Sequence, residues 1–73
     1  MTVHVPTRLI RVMRFDGRSL YYFDNQDPTN HGCLPLADAY YAVARQLRSH
    51  ALCRITVLDG VIIALDVMPT RVP

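Results

Sequence analysis

The chain has 73 residues, eight basic and six acidic, with a formal charge of +2. That length suits one small domain, 1–73, and the low charge makes no case for nucleic acid by itself. Two cysteines allow at most one bridge, which excludes a disulfide framework.

Hydrophobic residues make up 51% of the chain, a high share for a domain with much surface and little interior. A core this small contributes on the order of 3–5 kcal/mol unless something staples it. Every basic residue is an arginine, which favours forked and stacking contacts over point charges. Met1–Val5 is too short and polar to read as a signal peptide. The longest aliphatic run, Val61–Leu65, is far below the ~20 residues of a membrane span. A cytoplasmic protein with reduced thiols and no membrane partner is the expectation.

The core is expected over about 7–68, with short proline-marked tails at 1–6 and 69–73. "RLIRVMRFDGRSLYYFD" opens the ordered part. Its Asp16-Gly17 pair, flanked by residues of high β propensity, predicts a hairpin. A two-residue turn at Asp16-Gly17 sets Val12 against Tyr21, Ile10 against Phe23 and Arg14 against Ser19 on the expected core face. Met13 against Leu20, Arg11 against Tyr22 and Phe15 against Arg18 fall on a mixed, half-exposed face.

"NQDPTNHGCLP", 25–35, reads as a long polar connection and a candidate contact loop. "PLADAYYAVARQLRSH" then changes period. Leu36, Tyr40, Val43, Leu47 and Ala51 recur at helical spacing, and Pro35 suits a first helical position. The second Asp-Gly pair, Asp59-Gly60, predicts another hairpin, with Val57 facing Ile62 and Ile55 facing Ala64. The fold class is therefore α+β: a ββαββ order forming a four-stranded antiparallel sheet with one helix on one face.

Both faces of the second hairpin read as apolar, and one helix covers only one of them. A second copy of the chain or a target is expected on the other. Tyr41, Arg45 and Arg48 lie together on the helical wheel, away from the apolar stripe. Arg11, Arg18 and Tyr22 form a similar set on the mixed hairpin face. Tyrosine and arginine dominate binding hot spots, so these six are the expected partner-binding residues.

The remaining constellations are weaker. His31, Cys33, His50 and Cys53 match zinc in ligand type but not in spacing. A Cys33–Cys53 bridge needs an oxidising compartment. Cys33 with His31 or His50 lacks an orienting group and an oxyanion donor. Asp24, Asp27, Asn30 and His31 lack the ordered ligand pattern of a cation loop. No catalytic residue, metal or cofactor is assigned.

The expected function is a non-enzymatic protein-binding module, a regulator or inhibitor acting by contact and plausible as a homodimer. Compact chains of this kind are common among phage and mobile-element proteins; anti-CRISPR proteins share its size and style, without a motif match. The alternative is a nucleic-acid binder using Arg8, Arg11, Arg14 and Arg18 beside Tyr21, Tyr22 and Phe23.

Overall fold

The computed structural model describes residues 6–69. Of the expected tails, only Pro6 and Pro69 fall among these residues. Strand β1 is Thr7–Asp16, β2 is Ser19–Asp24, β3 is His31–Pro35, β4 is Leu52–Leu58 and β5 is Val61–Val67. A 3-10 turn, Asp38–Tyr40, leads into the one α-helix among the described residues, α1, Tyr41–Arg45. The five strands form one sheet in the order β3-β2-β1-β4-β5, each antiparallel to its neighbours.

Both expected hairpins are present, and "RLIRVMRF" is a strand. The first hairpin turns one residue later than the spacing predicts. Asp16 pairs with Ser19, leaving Gly17 and Arg18 as the two turn residues. Gly17 has φ +64° at the first turn position, the pattern of a type II′ turn. Phe15 then meets Leu20 and Arg14 meets Tyr21. At Met13 the register shifts by a bulge, and Val12 meets Tyr22, Arg11 meets Phe23 and Ile10 meets Asp24. Because side chains alternate across a strand, this places Leu20 and Tyr22 inside and Tyr21 and Phe23 outside, the reverse of the expected assignment.

The second hairpin turns where predicted. Asp59 and Gly60 have φ +51° and +75°, as a type I′ turn requires. Val57 meets Ile62 as expected, but the register shifts next to it, so Ile55 meets Leu65 rather than Ala64. The shift brings Ile62 and Leu65 to the same interior: both are buried, and Ile63 between them is exposed.

The fifth strand lies within the stretch read as a loop. Leu34 pairs with Leu20 and packs against the core, while Cys33 and Pro35 on either side of it, and His31 at the strand's start, are exposed. Opposite Tyr22 stands Gly32. A Cβ there would lie 2.5 Å from the Tyr22 ring, so the close approach of strand and ring requires glycine.

The helix is much shorter than its apolar period. Leu36 N–H donates to the Arg18 carbonyl at 2.8 Å, and Ala37 N–H to the Ile62 carbonyl at 2.9 Å. Those amides serve the sheet, so the helix begins later, and Pro35 ends β3 instead of opening a helix. At the other end His50 N–H donates to the Val12 carbonyl at 2.7 Å and takes the chain back onto β1. Val43, expected on the buried stripe, is exposed, whereas Ala44 is buried.

These same contacts curl the sheet. A parallel bridge joins Leu36 to Ile62, linking the end of β3 to β5 across the open side. The interior holds Ile10, Val12, Leu20, Tyr22, Leu36, Ala44, Cys53, Ile55, Ile62 and Leu65. Phe15, Leu34, Tyr40, Tyr41, Leu47, Ala51 and Val57 pack around it. The sheet therefore encloses its own core instead of laying a flat face against one helix. Each fully buried aliphatic side chain contributes roughly 1.5–3 kcal/mol, a large part of what so small a domain has.

Gly32→Ala is expected to lower stability by about 1–3 kcal/mol, because the added methyl overpacks the buried Tyr22 ring. Chemical denaturation measures it, and Gly32→Ala combined with Tyr22→Leu should recover part of the loss. Equal midpoints for wild type and Gly32→Ala would mean that this contact does not constrain the fold.

Candidate nucleic-acid interface

The cross-strand pairs Arg14–Tyr21 and Arg11–Phe23, on the outer side of β1 and β2, continue onto β3 as Tyr21–Cys33 and Phe23–His31. The Met13 bulge is what brings Arg11 and Arg14, an odd number of residues apart, onto this one face. The Arg14 guanidinium lies over the Tyr21 ring at 4.4 Å from its centroid. Its ion pair with Asp16 is 3.9 Å long and exposed, so it adds little. Phe23 is flanked by two imidazoles, His31 at 6.2 Å and His50 at 5.7 Å between centroids. Hydrogen bonding and proximity to Cys33 push the Tyr21 phenol above its usual pKa.

His50 sits at the edge of this face in the left-handed region, with φ +70°. A non-glycine residue there costs on the order of 1–3 kcal/mol and persists only when its surroundings determine it. Here they do. Besides its amide bond to Val12, its carbonyl accepts from Arg11 Nη1 at 3.1 Å, and its Nδ1 lies 3.0 Å from Ser49 Oγ. Arg11 also donates through Nε to Asn25 Oδ1 at 3.0 Å. Arg11 thus ties the 25–30 loop and the 46–51 segment to the same point of β1.

An open groove of about 740 Å³ continues from there, lined by Arg11, Arg48, His50, Leu52, Val67 and Met68 among others. None of the described residues lining it is acidic.

The expected partner-binding residues divide into three places. Tyr41, Arg45 and Arg18 come together near the tip of the first hairpin. Arg45 lies 5.8 Å from the Tyr41 centroid, Phe15 packs on Tyr41 at 5.3 Å, and Arg18 is close enough to act on the Tyr41 hydroxyl electrostatically. Burial, with a hydrogen bond to Asp38, pushes that phenol up. Arg48 lies beyond α1 and lines the groove, as does Arg11. Tyr22 is 5% exposed, and burial raises its pKa; it is a core residue, not a contact residue. The sequence pattern placed Tyr22 outward because it assumed the earlier turn. The aromatic pair on the outer face, Tyr21 and Phe23, falls outside the six, although both belong to the arginine–aromatic set of the alternative reading.

The weaker constellations separate. Cys33 is exposed on the outer side, whereas Cys53 is buried opposite Ile10, its thiol pKa raised by burial. No bridge spans those two positions. Asp24 Oδ1 accepts from the amides of Gln26 and Asp27 at 2.7 and 3.1 Å. Asp27 Oδ1 accepts from the Thr29 hydroxyl and amide at 2.6 and 3.1 Å, which holds its carboxyl below the usual range. The loop carboxylates thus shape local turns. Among the described residues no cluster of three or more His, Cys, Asp or Glu side chains is placed to hold a metal. No helix among them is long and apolar enough to cross a membrane.

The backbone at His50 gives a direct check. His50→Gly should be more stable than His50→Ala by about 1 kcal/mol, the reverse of the usual order, because only glycine adopts this φ without strain. Urea midpoints of the two variants decide it; an alanine variant as stable as the glycine variant would mean that His50 is not held at positive φ. No family model matches the chain, and neither a curated protein nor a solved structure matches it.

Proposed function

We propose that this chain is a non-catalytic binding module whose ligand is an extended single strand of nucleic acid, held on the outer side of β1, β2 and β3. One observation carries the reading: Tyr21 and Phe23, each half-buried, stand two residues apart on the outer sheet face, beside Arg14 and Arg11 on the neighbouring strand. Two residues of strand span about 6.7 Å, which suits neighbouring bases on a drawn-out backbone. Rings of this kind stack bases at roughly 1–3 kcal/mol each, whatever the base. The Arg14 guanidinium, which already lies over Tyr21, can both stack and pair with phosphate.

The curl of the sheet supports this order of preference over the one read from sequence. The sequence favours a protein partner because it leaves one apolar sheet face with nothing to cover it. With the strands closed on their own interior, that need is much reduced. The layout is also shared with small five-stranded barrels such as OB-folds, which bind oligonucleotides across their second and third strands. That is a likeness of architecture and fixes no function by itself. The low net charge argues for modest affinity.

A second reading keeps the protein partner, and a different observation favours it. Phe15, Tyr41 and Arg45 pack in series near the first hairpin tip, a composition typical of protein hot spots. On that reading the chain is a regulator or inhibitor that occupies its target. A homodimer would use the outer side of β4 and β5, where Leu58 is 48% and Ile63 39% exposed.

Titration of a fluorescent ten-residue oligothymidylate against salt separates the two. Contact with about three phosphates gives a slope of log K against log salt near −2. Tyr21→Ala with Phe23→Ala should weaken binding at least tenfold without unfolding, while Tyr41→Ala with Arg45→Ala leaves it unchanged. Absence of oligonucleotide binding at low salt removes the nucleic-acid reading. A partner lost on changing Tyr41 and Arg45 would then establish the second.

A further inference from the structure

We infer that the groove beside His50 is the continuation of the binding face and takes the phosphodiester backbone of the same strand, with Arg48 as its phosphate contact. The inference rests on the single-strand reading above and specifies the route of the ligand.

Three observations lead to it. First, the groove and the aromatic face are continuous. His50 meets Phe23 edge-on at 5.7 Å and also lines the groove, and Arg11, the cross-strand neighbour of Phe23 on β1, lines it too. A strand leaving the Phe23 platform past His50 enters the groove directly. Second, the groove is complementary to a polyanion with apolar parts. Arg11, Arg48 and His50 supply cationic or polar groups, none of the described lining residues is acidic, and Leu52, Val67 and Met68 form an apolar wall against which sugars and base edges can lie. Third, the junction is built at a cost. His50 is held at φ +70° by bonds through its amide and its carbonyl. Strain of that kind collects where a side chain must be presented in one direction.

The roles of the two arginines differ. The Arg11 guanidinium is committed to Asn25 and to the His50 carbonyl, so it positions His50 and adds charge behind it. Arg48 is exposed beyond the end of α1, and its planar fork suits a phosphate. A short oligomer needs only the Tyr21–Phe23 platform, whereas a longer one reaches Arg48.

The test compares four- and ten-residue oligothymidylates by amide chemical-shift mapping of the full chain, with affinities for wild type and Arg48→Gln. The four-residue probe should perturb amides around Tyr21, Phe23 and His31. The ten-residue probe should in addition perturb 48–52 and 67–68. Arg48→Gln should weaken the longer probe at least fivefold and reduce its salt slope by about one phosphate, roughly 0.7, leaving the map of the shorter probe unchanged. If the longer probe perturbs the face but not the groove, or binds Arg48→Gln as it binds wild type, the route through the groove is overturned and the face reading stands. If neither probe perturbs the face, both fall. Arg48 is exposed, so a folding defect is not expected to obscure the result; the dispersed amide spectrum of the variant checks this directly.

Discussion

Strand β1 must satisfy two neighbours while presenting only one side to the interior. It runs beside β4 from Thr7 to Arg11 and beside β2 from Ile10 to Asp16. The extra residue at Met13 lies within the β2 pairing, just past the end of the β4 pairing. Without it, the alternation that buries Ile10 and Val12 would turn Phe15 outward and Arg14 inward. With it, Phe15 rejoins the core side and Arg14 joins Arg11 outside. A bulge also bends its strand and raises local twist. Bulges in β1 and beside Val57 are therefore consistent with a sheet curled enough for Leu36 to reach Ile62.

Closure of that kind has two consequences. It lets 73 residues enclose a set of fully buried aliphatics, Ile10, Val12, Leu20, Ile55 and Ile62, that a flat sheet under a five-residue helix would leave half covered. It also makes the outer side of the sheet the place where chemistry is displayed. That side is not uniform. Over β1 to β3 it carries arginine, tyrosine, phenylalanine and histidine, while over β4 and β5 it carries exposed Leu58 and Ile63 beside the paired Arg54 and Asp66. The first composition suits stacking on a flexible anionic chain, and the second suits contact with another apolar surface.

Much of this architecture is legible in the sequence, and the remainder is hidden for identifiable reasons. The Asp-Gly pairs mark both hairpins because few other residues accept positive φ. The first pair misleads by a single position: Asp16 is the last strand residue and Arg18 completes the turn, a distinction that composition cannot make. One residue of register then exchanges the roles of Tyr21 and Tyr22. Strand β3 contains glycine, proline, histidine and cysteine, and its one inward apolar side chain, Leu34, gives no detectable alternation. The helical period from Leu36 to Ala51 is real as a pattern. Its ends are claimed by hydrogen bonds to Arg18, Ile62 and Val12, long-range contacts that no local rule shows. Of the candidate site, the pairing of Tyr41 with Arg45 follows from helical spacing, whereas the Phe23–His50 junction depends on a tertiary contact between residues 27 positions apart.

The register of the first hairpin is the point on which the account turns, since it decides which aromatic side chains are available to a ligand. Cross-strand nuclear Overhauser contacts on the labelled full chain test it most directly. The register described above gives contacts joining Arg14 to Tyr21 and Arg11 to Phe23, together with contacts from the Tyr22 ring to Gly32. Contacts joining Val12 to Tyr21 and Ile10 to Phe23 instead would turn Tyr21 and Phe23 into the core and contradict it.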